Sequence, residues 1–319
     1  MFWATLLSIL TATAASGAAL GAALGLTGLF ILHFFSGGAT SLALDAIWNT
    51  FNSFTLSAIP LFILLGEILL RSGLSERVYT AVTPVFTRVP GGLLHTNIAV
   101  CTIFGAVSGS SLSTAAAIGS VAYPEMRQRG YNRDMIVGSL AGGGTLGLLI
   151  PPSLSFLIFG ALTETSIGRL FIAGIIPGLM VALMFMVYIL VCCLRNPSLY
   201  PRESITISTL RIFTNALSIW PILMLIFAIM GSIILGLATP TEAAAVGVAV
   251  AVFIAFFWGD FNTQKLLESI YRSVQLYAAI GLVIVGATIL AQSVAILGVP
   301  QAILESAAAS GLGKYGVLT

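Results

Sequence analysis

Apolar residues dominate this chain in long blocks, and the breaks between blocks carry the information. Residues 2–35 contain no Asp, Glu, Lys or Arg. One straight helix of that length would be about 51 Å long at 1.5 Å per residue, too long for a bilayer core of about 30 Å. A break at Ser16-Gly17 divides it into two helices, 2–16 and 17–35. Further spans read as 46–71, 168–195, 212–237, 240–258 and 272–297, bounded by Arg71-Ser-Gly, Arg195-Asn-Pro, Ala238-Thr-Pro and Gly259-Asp. Residues 74–90, with Glu76, Arg77 and Arg88, suit an amphipathic helix lying in the membrane interface.

Two blocks depart from this pattern. Residues 95–123 are apolar but carry Ser108-Gly109-Ser110-Ser111 at their centre, followed by Ser113 and Thr114. Turn composition at membrane depth is tolerated only where protein or a watery cavity satisfies the backbone, so this block reads as a helical hairpin that enters and leaves on one side. Residues 134–163 are interrupted at Gly142-Gly143-Gly144-Thr145 and again at Pro151-Pro152-Ser153. Two prolines remove two amide donors and end the incoming helix, which predicts one discontinuous helix crossing the bilayer. The glycines have a second reading, close packing against the hairpin.

Composition agrees that most of the chain is not solvated by water. The 319 residues are 58% hydrophobic and 8% charged, with mean hydropathy +1.07, against about 25% charge in soluble domains. A net charge of +2 gives no case for a nucleic-acid partner. Cys101, Cys192 and Cys193 all lie in apolar runs and read as buried small hydrophobes. If the hairpin opens on one side, that side receives eleven of the thirteen Lys and Arg residues, and only Arg169 and Lys314 fall opposite. By the positive-inside rule the basic side is cytoplasmic, which places the N-terminus outside.

An internal repeat is visible. Gly66-Glu-Ile-Leu-Leu resembles Gly286-Ala-Thr-Ile-Leu at an offset of 286 − 66 = 220, and Gly17 precedes Pro240 by 240 − 17 = 223; each match is weak alone, and the shared offset carries the repeat. Five crossings lie between the copies, and an odd number turns the second copy upside down. Inverted repeats with broken helices are the architecture of secondary transporters, whose substrate sits near the bilayer midplane. The division predicted is 1–209 for the first repeat and 210–319 for an incomplete second one. Adding 220 to the hairpin gives 315–343, so the second hairpin and second broken helix are expected beyond Thr319. The fold class read from the residues is therefore an all-α polytopic membrane protein of inverted-repeat transporter architecture, with its second repeat incomplete.

The hairpin turn and the unwound prolines offer carbonyl and hydroxyl oxygens for a desolvated sodium ion, and helix N-termini for a carboxylate. The candidate cation ligands are Ser108, Gly109, Ser110, Gly144, Thr145 and Pro151. The candidate substrate contacts are Ser110, Ser111, Thr114, Pro152 and Ser153. The competing readings are a Ser/Gly helix-packing contact and a kinked structural helix. Glu67 stands four residues from Arg71 and reads as an i,i+4 pair; Glu242 falls in the first turn after Pro240, where a carboxylate meets the helix dipole. His33 and His95 read as interfacial packing. Ser110 or Ser111 with His95 is the one pairing an intramembrane serine protease could use, but the hairpin separates His95 from the tip. There is no Walker motif and no His-Glu-x-x-His. A passive channel or membrane scaffold is the remaining alternative.

Several stretches in this order resemble the large membrane subunit of the TRAP (tripartite ATP-independent periplasmic) transporters, the DctM-like family. They are Ala58-Ile-Pro-Leu-Phe-Ile-Leu-Leu-Gly-Glu67, Ser108-Gly-Ser-Ser111 with Ala115-Ala-Ala-Ile-Gly-Ser120, and Gly143-Gly-Thr-Leu-Gly-Leu-Leu-Ile-Pro-Pro-Ser153. Leu170-Phe-Ile-Ala-Gly174 with Pro177-Gly178, and Thr239-Pro-Thr-Glu-Ala243, complete the set. Two positions depart: Gly17-Ala-Ala stands where Gly-x-Pro is often found, and Thr114 where some members carry Asp. The resemblance implies an elevator-type ion-transporter fold, an inner-membrane permease whose mobile domain of hairpins and broken helices carries an organic acid and sodium ions past a static scaffold, with no organic cofactor and no enzymatic activity. It also implies a small DctQ-like membrane subunit, a periplasmic DctP-like binding protein that delivers the substrate, and the lipid bilayer as partners.

Overall fold

The computed structural model describes residues 2–201 and 219–309, and among these it contains fourteen α-helices and no strand. In chain order they are α1 (Phe2–Ala15), α2 (Leu20–Phe34), α3 (Ser41–Phe51), α4 (Ala58–Arg71), α5 (Leu74–Phe86), α6 (Leu93–Ser108) and α7 (Ser111–Gln128). They continue with α8 (Arg133–Leu149), α9 (Leu154–Leu162), α10 (Ile167–Arg195), α11 (Trp220–Ile234), α12 (Pro240–Trp258), α13 (Thr263–Ile296) and α14 (Val299–Ala309). The helices α10, α12 and α13 are each long and apolar enough to cross a membrane, and so is Arg133–Leu162 taken as one element. The protein is a polytopic, all-helical membrane protein.

Two compact units form, Met1–Ser53 with Gln275–Thr319, and Phe54–Val274. Compact units follow packing, whereas a repeat is a property of sequence, and the two partitions differ. The repeat boundary at 209/210 falls outside the described residues, as do the start of the span expected at 212–237 and Lys314.

In the first unit, Gly17 takes a left-handed backbone (φ +76°) in the turn that separates α1 from α2. Glycine enters that region without the steric cost a Cβ imposes. The helices α2 and α13 then pack backbone to backbone. Methyl groups added at Gly21 and Gly28 would run into main-chain atoms of Leu282–Val283 and Ile289–Leu290, and one at Gly286 would meet the carbonyl of Gly21. As residue numbers rise along α2 they rise along α13, so the pair is parallel. The third helix, α3, docks Ala43 and Ala46 with Leu32 and Ile289, and Thr50 Oγ1 lies 3.4 Å from Thr288 Oγ1.

Residues 46–71, expected as one span, form parts of two helices separated at 52–57. The cause is local: Asn52, Ser53, Thr55 and Ser57 compete for backbone hydrogen bonds, and Pro60 fits only the first turn of a helix. The helix expected from 272 begins nine residues earlier, at Thr263, where Asn262 caps it: its Oδ1 accepts from Lys265 N at 2.8 Å.

In the second unit α4 and α12 are also parallel. Thr241 Oγ1 donates to Phe54 O (3.3 Å) at one end, Gly247 faces Leu65 midway, and Asp260 N donates to Ser72 O (2.8 Å) at the other end. The amphipathic α5 is bent by 69° from α4 and buries Leu74, Val78, Tyr79, Ala81 and Val82. The hairpin α6–α7 and the helix α8 form the centre of this unit. Asn97 Nδ2 donates to Ser139 Oγ at 2.8 Å across α6 and α8, and Leu93 N donates to Tyr131 OH at 3.1 Å to close the hairpin's open end.

Candidate functional site: the hairpin tip against the helix break

The hairpin turns in two residues. Gly109 ends α6 in a left-handed conformation (φ +60°), and Ser110, in an extended conformation, caps α7 by accepting from Ser113 N at 3.4 Å. On the facing element, α8 ends at Leu149 and α9 starts at Leu154. Pro151 and Pro152 lie between them, buried and joined by a cis peptide bond. Prolines have no amide to donate, so the backbone ladder has to stop here.

The tip and the break meet. Leu154 N donates to Gly109 O at 3.2 Å. A methyl group at Gly109 would stand 3.0 Å from Pro152 O, and one at Gly147 would stand 2.8 Å from both Ser110 O and Thr114 Oγ1. Gly105 and Gly147 approach in the same way, with 2.9 Å from the one's absent Cβ to the other's Cα. Four helix ends therefore converge: the C-ends of α6 and α8, with partial negative charge, and the N-ends of α7 and α9, with partial positive charge. No charged side chain lies at 89–124 or 135–163 to override them.

The candidate residues separate by what their polar atoms already do. Ser108 Oγ and Thr114 Oγ1 are 2.7 Å apart and buried, so these hydroxyls tie the two hairpin arms to each other beneath the tip. Ser153 is fully buried, and its Oγ donates to Leu148 O at 2.6 Å, spanning the break. Ser110 and Ser111 are half-buried at the tip. Gly144 and Thr145 require a correction. The expected interruption at 142–145 does not occur, because α8 runs unbroken from Arg133 to Leu149. Their glycines pack instead: a methyl at Gly143 would strike Cys101 Sγ at 2.9 Å, and one at Gly144 would strike Ala115 Cβ at 2.7 Å and Ser111 O at 3.2 Å. Thr145 Oγ1 donates back to Gly142 O at 2.6 Å and the residue is exposed.

The other polar candidates take structural positions. Glu67 Oε2 lies 3.5 Å from Arg71 Nε, and Arg71 Nη1 donates to Glu268 Oε2 at 2.9 Å, so the i,i+4 pair extends into a three-residue link between α4 and α13. Thr239 and Glu242 form a reciprocal capping box: Thr239 N donates to Glu242 Oε2 at 2.8 Å, and Glu242 N to Thr239 Oγ1 at 3.3 Å. His95 is buried at the hairpin's open end, its Nε2 2.9 Å from Pro90 O and its ring stacked on Phe86. Among the described residues no group of His, Cys, Asp and Glu could hold a metal ion. The donors at the tip and break are hydroxyl and carbonyl oxygens, which suit a hard monovalent cation.

The tip of the α6–α7 hairpin thus docks on the break between α8 and α9, and comparison with known proteins gives the chain a family. The model of the DctM component of the tripartite ATP-independent periplasmic transporters matches residues 7–319. The chain belongs to this family. It is 35% identical over 295 residues to the C4-dicarboxylate TRAP transporter large permease protein of Pseudomonas aeruginosa, covering 92% of this chain and 68% of that one. It is 35% identical over 268 residues to the ectoine TRAP transporter large permease protein of Halomonas elongata, covering 83% and 61%. It is 33% identical over 257 residues to the sialic acid TRAP transporter large permease protein of Vibrio cholerae, covering 80% and 59%. The chain thus spans between about three fifths and two thirds of these relatives' length. As a large-permease family member it is a transport protein and not an enzyme.

Gly147 packs against the hairpin, as the second reading of the glycines in 134–163 expects, and two contributors are absent from the sequence candidates: the Leu154 amide, and Gly105, the residue of α6 that meets Gly147. The first leaves no signature because any residue after Pro-Pro-Ser has an amide. The second was readable, since a glycine in each apolar helix is the signature of close approach.

Proposed function

We propose that this chain is the substrate-translocating permease of a sodium-coupled TRAP system in a bacterial inner membrane. It takes up an organic acid such as a dicarboxylate. The observation that carries the reading is the Leu154 N to Gly109 O tie, which fixes the hairpin tip against the unwound segment. Carbonyls at the C-ends of α6 and α8 and the hydroxyls of Ser110 and Ser111 would hold sodium. The amides at the N-ends of α7 and α9 would face the substrate carboxylate. Positive charge at one pair of ends and negative at the other lets ion and substrate neutralise each other, so each favours binding of the other. Relatives named for dicarboxylate, ectoine and sialic acid uptake suggest that substrate choice varies on a shared frame. A small membrane subunit and a periplasmic binding protein complete the system, as the family's tripartite name implies.

The inverted repeat supports an elevator motion. At offsets near 220, α2 corresponds to α12 and α4 to α13. The observed pairs are α2 with α13 and α4 with α12, both parallel. Each half's first element therefore packs along the other half's second element, the exchange expected of two related repeats. Gly21 and Gly28 on α2 fall 223 residues before Ala244 and Ala251 on α12, both fully buried, so small residues recur on the packing face.

The test is uptake in proteoliposomes containing this chain with its two partner proteins. Uptake should collapse when the sodium gradient is dissipated, and Ser110→Leu or Ser111→Leu should abolish it while membrane insertion persists. Uptake indifferent to sodium, or unchanged kinetics in both variants, overturns the reading.

A further inference from the structure

A second concavity lies away from the hairpin tip, between α8 and α10. It encloses about 580 Å³ and is walled by Met135, Met184, Phe185 and Ile189. Its opening is due to two glycines, Gly138 and Gly142, one turn apart on α8. A methyl at Gly138 would meet nothing within 4 Å, and one at Gly142 only the Phe185 ring at 3.5 Å. The Phe185 ring closes the inner end over Gly142, and the space over Gly138 is open. Its polarity is confined largely to one end. Asp134 in the first turn of α8 and Tyr188 near the end of α10 stand at the mouth, both exposed. From Asp134 to Gly142 is eight residues, about 12 Å, close to half of a 30 Å apolar core. The slot therefore runs about one leaflet deep, and it is continuous with the outward apolar face of α10, where Met180, Leu183, Met184 and Val187 are exposed.

We infer that this slot binds one phospholipid of the cytoplasmic leaflet, with an acyl chain along Gly138 and Gly142 and an amine-bearing headgroup at the Asp134 carboxylate. The depth, the apolar walls and the single polar end match an amphiphile with one chain inserted. The acidic mouth selects an ammonium group, as in a phosphoethanolamine headgroup, over a headgroup that carries only negative charge. The tyrosine takes the amphipathic position aromatic side chains favour at the headgroup level.

The chain is purified in mild detergent, and phosphatidylethanolamine and phosphatidylglycerol are titrated against it by native mass spectrometry. The inference expects one retained phosphatidylethanolamine. Gly138→Leu, which fills the slot where space is open, should remove it. Asp134→Asn should reduce the preference over phosphatidylglycerol by about fivefold, the scale of one exposed charge pair. Phosphatidylethanolamine bearing a photoreactive acyl chain gives a second reading on the unmodified chain in membranes, with cross-links expected at 135–142 and 184–189. Retention unaffected by Gly138→Leu, no headgroup preference, or cross-links spread evenly over α10 would overturn it. So would protection of the slot by another protein chain in the assembled complex.

Discussion

The parallel helix pairs α2–α13 and α4–α12 solve one packing problem in two ways. In the first, Gly21 and Gly28 lie against main-chain atoms of α13, so the contact is between backbones and has no flexible component. In the second, side chains fill the middle: Gly247 faces the end of Leu65 from α4 and, closer, the end of Ile229 from the neighbouring α11. Polar ties hold the ends: Thr241 to Phe54 and Asp260 to Ser72. Without a hydrophobic driving force between helices in lipid, association depends on close contact and on hydrogen bonds. One pair uses mainly the first and the other adds the second. A glycine seam tolerates no added volume, whereas a pair tied at its ends tolerates some in the middle.

The largest effect should come from testing that asymmetry directly. Gly21→Ala places a methyl into the Leu282 backbone, and overpacking of this kind costs about 1–3 kcal/mol or more. Gly247→Ala displaces only the end of the Ile229 side chain, and the roughly 1 kcal/mol gain in helix propensity offsets most of it. Thermal unfolding in detergent should show a marked loss for the first and little change for the second. Equal losses would erase the distinction between the seams.

Next in size is Arg71→Ala, which leaves the 8%-exposed Glu67 carboxylate without its cation. A loss of about 1–3 kcal/mol follows from an unsatisfied, mostly buried charged group. Adding Glu67→Gln should recover part of it, because the uncompensated charge is then gone. Full additivity of the two substitutions would show that they do not interact.

Thr239→Ala removes one half of the capping box at the start of α12 and should cost about 1 kcal/mol, read as a lower unfolding temperature. Thr239→Ser should retain most of the stability, since it keeps the accepting oxygen.

The smallest effect is one of pH. The Lys265 ammonium, 2.9 Å from Asp260 in the loop after α12, holds that carboxyl below the usual carboxylate range. A folded-state pKa below the unfolded one contributes stability that is present above the unfolded value and lost as pH falls through the folded one. Stability should therefore fall slightly on acidification below about pH 4, and less so in Asp260→Asn. An unchanged acid dependence in that variant would show that the clip contributes nothing.

The hairpin and the proline break were legible in the sequence because polar or donor-less residues in an apolar run leave the backbone no alternative. The Glu67–Arg71 pair and the Glu242 cap were legible from spacing alone. The division of 46–71 was harder to read, because Asn52 and Ser57 are individually tolerable in a helix and only their sum with Pro60 ends it. The run Gly142-Gly143-Gly144-Thr145 misled for a different reason. Glycine weakens an isolated helix by about 1 kcal/mol each, yet here Cys101 and Ala115 press close enough to require its absent side chain. Composition signals both outcomes alike, and only the neighbouring helices decide between them.

The Leu154 to Gly109 bond joins an amide to a carbonyl. Both partners are backbone groups, so side chains around the tip can change without removing donor or acceptor, provided position 109 keeps the glycine its left-handed turn and close approach require. Chemistry around it is free to drift while the join persists. If the tip is the site proposed above, a lineage could change its solute by exchanging the surrounding hydroxyls and apolar groups, without reinventing the junction on which they are mounted.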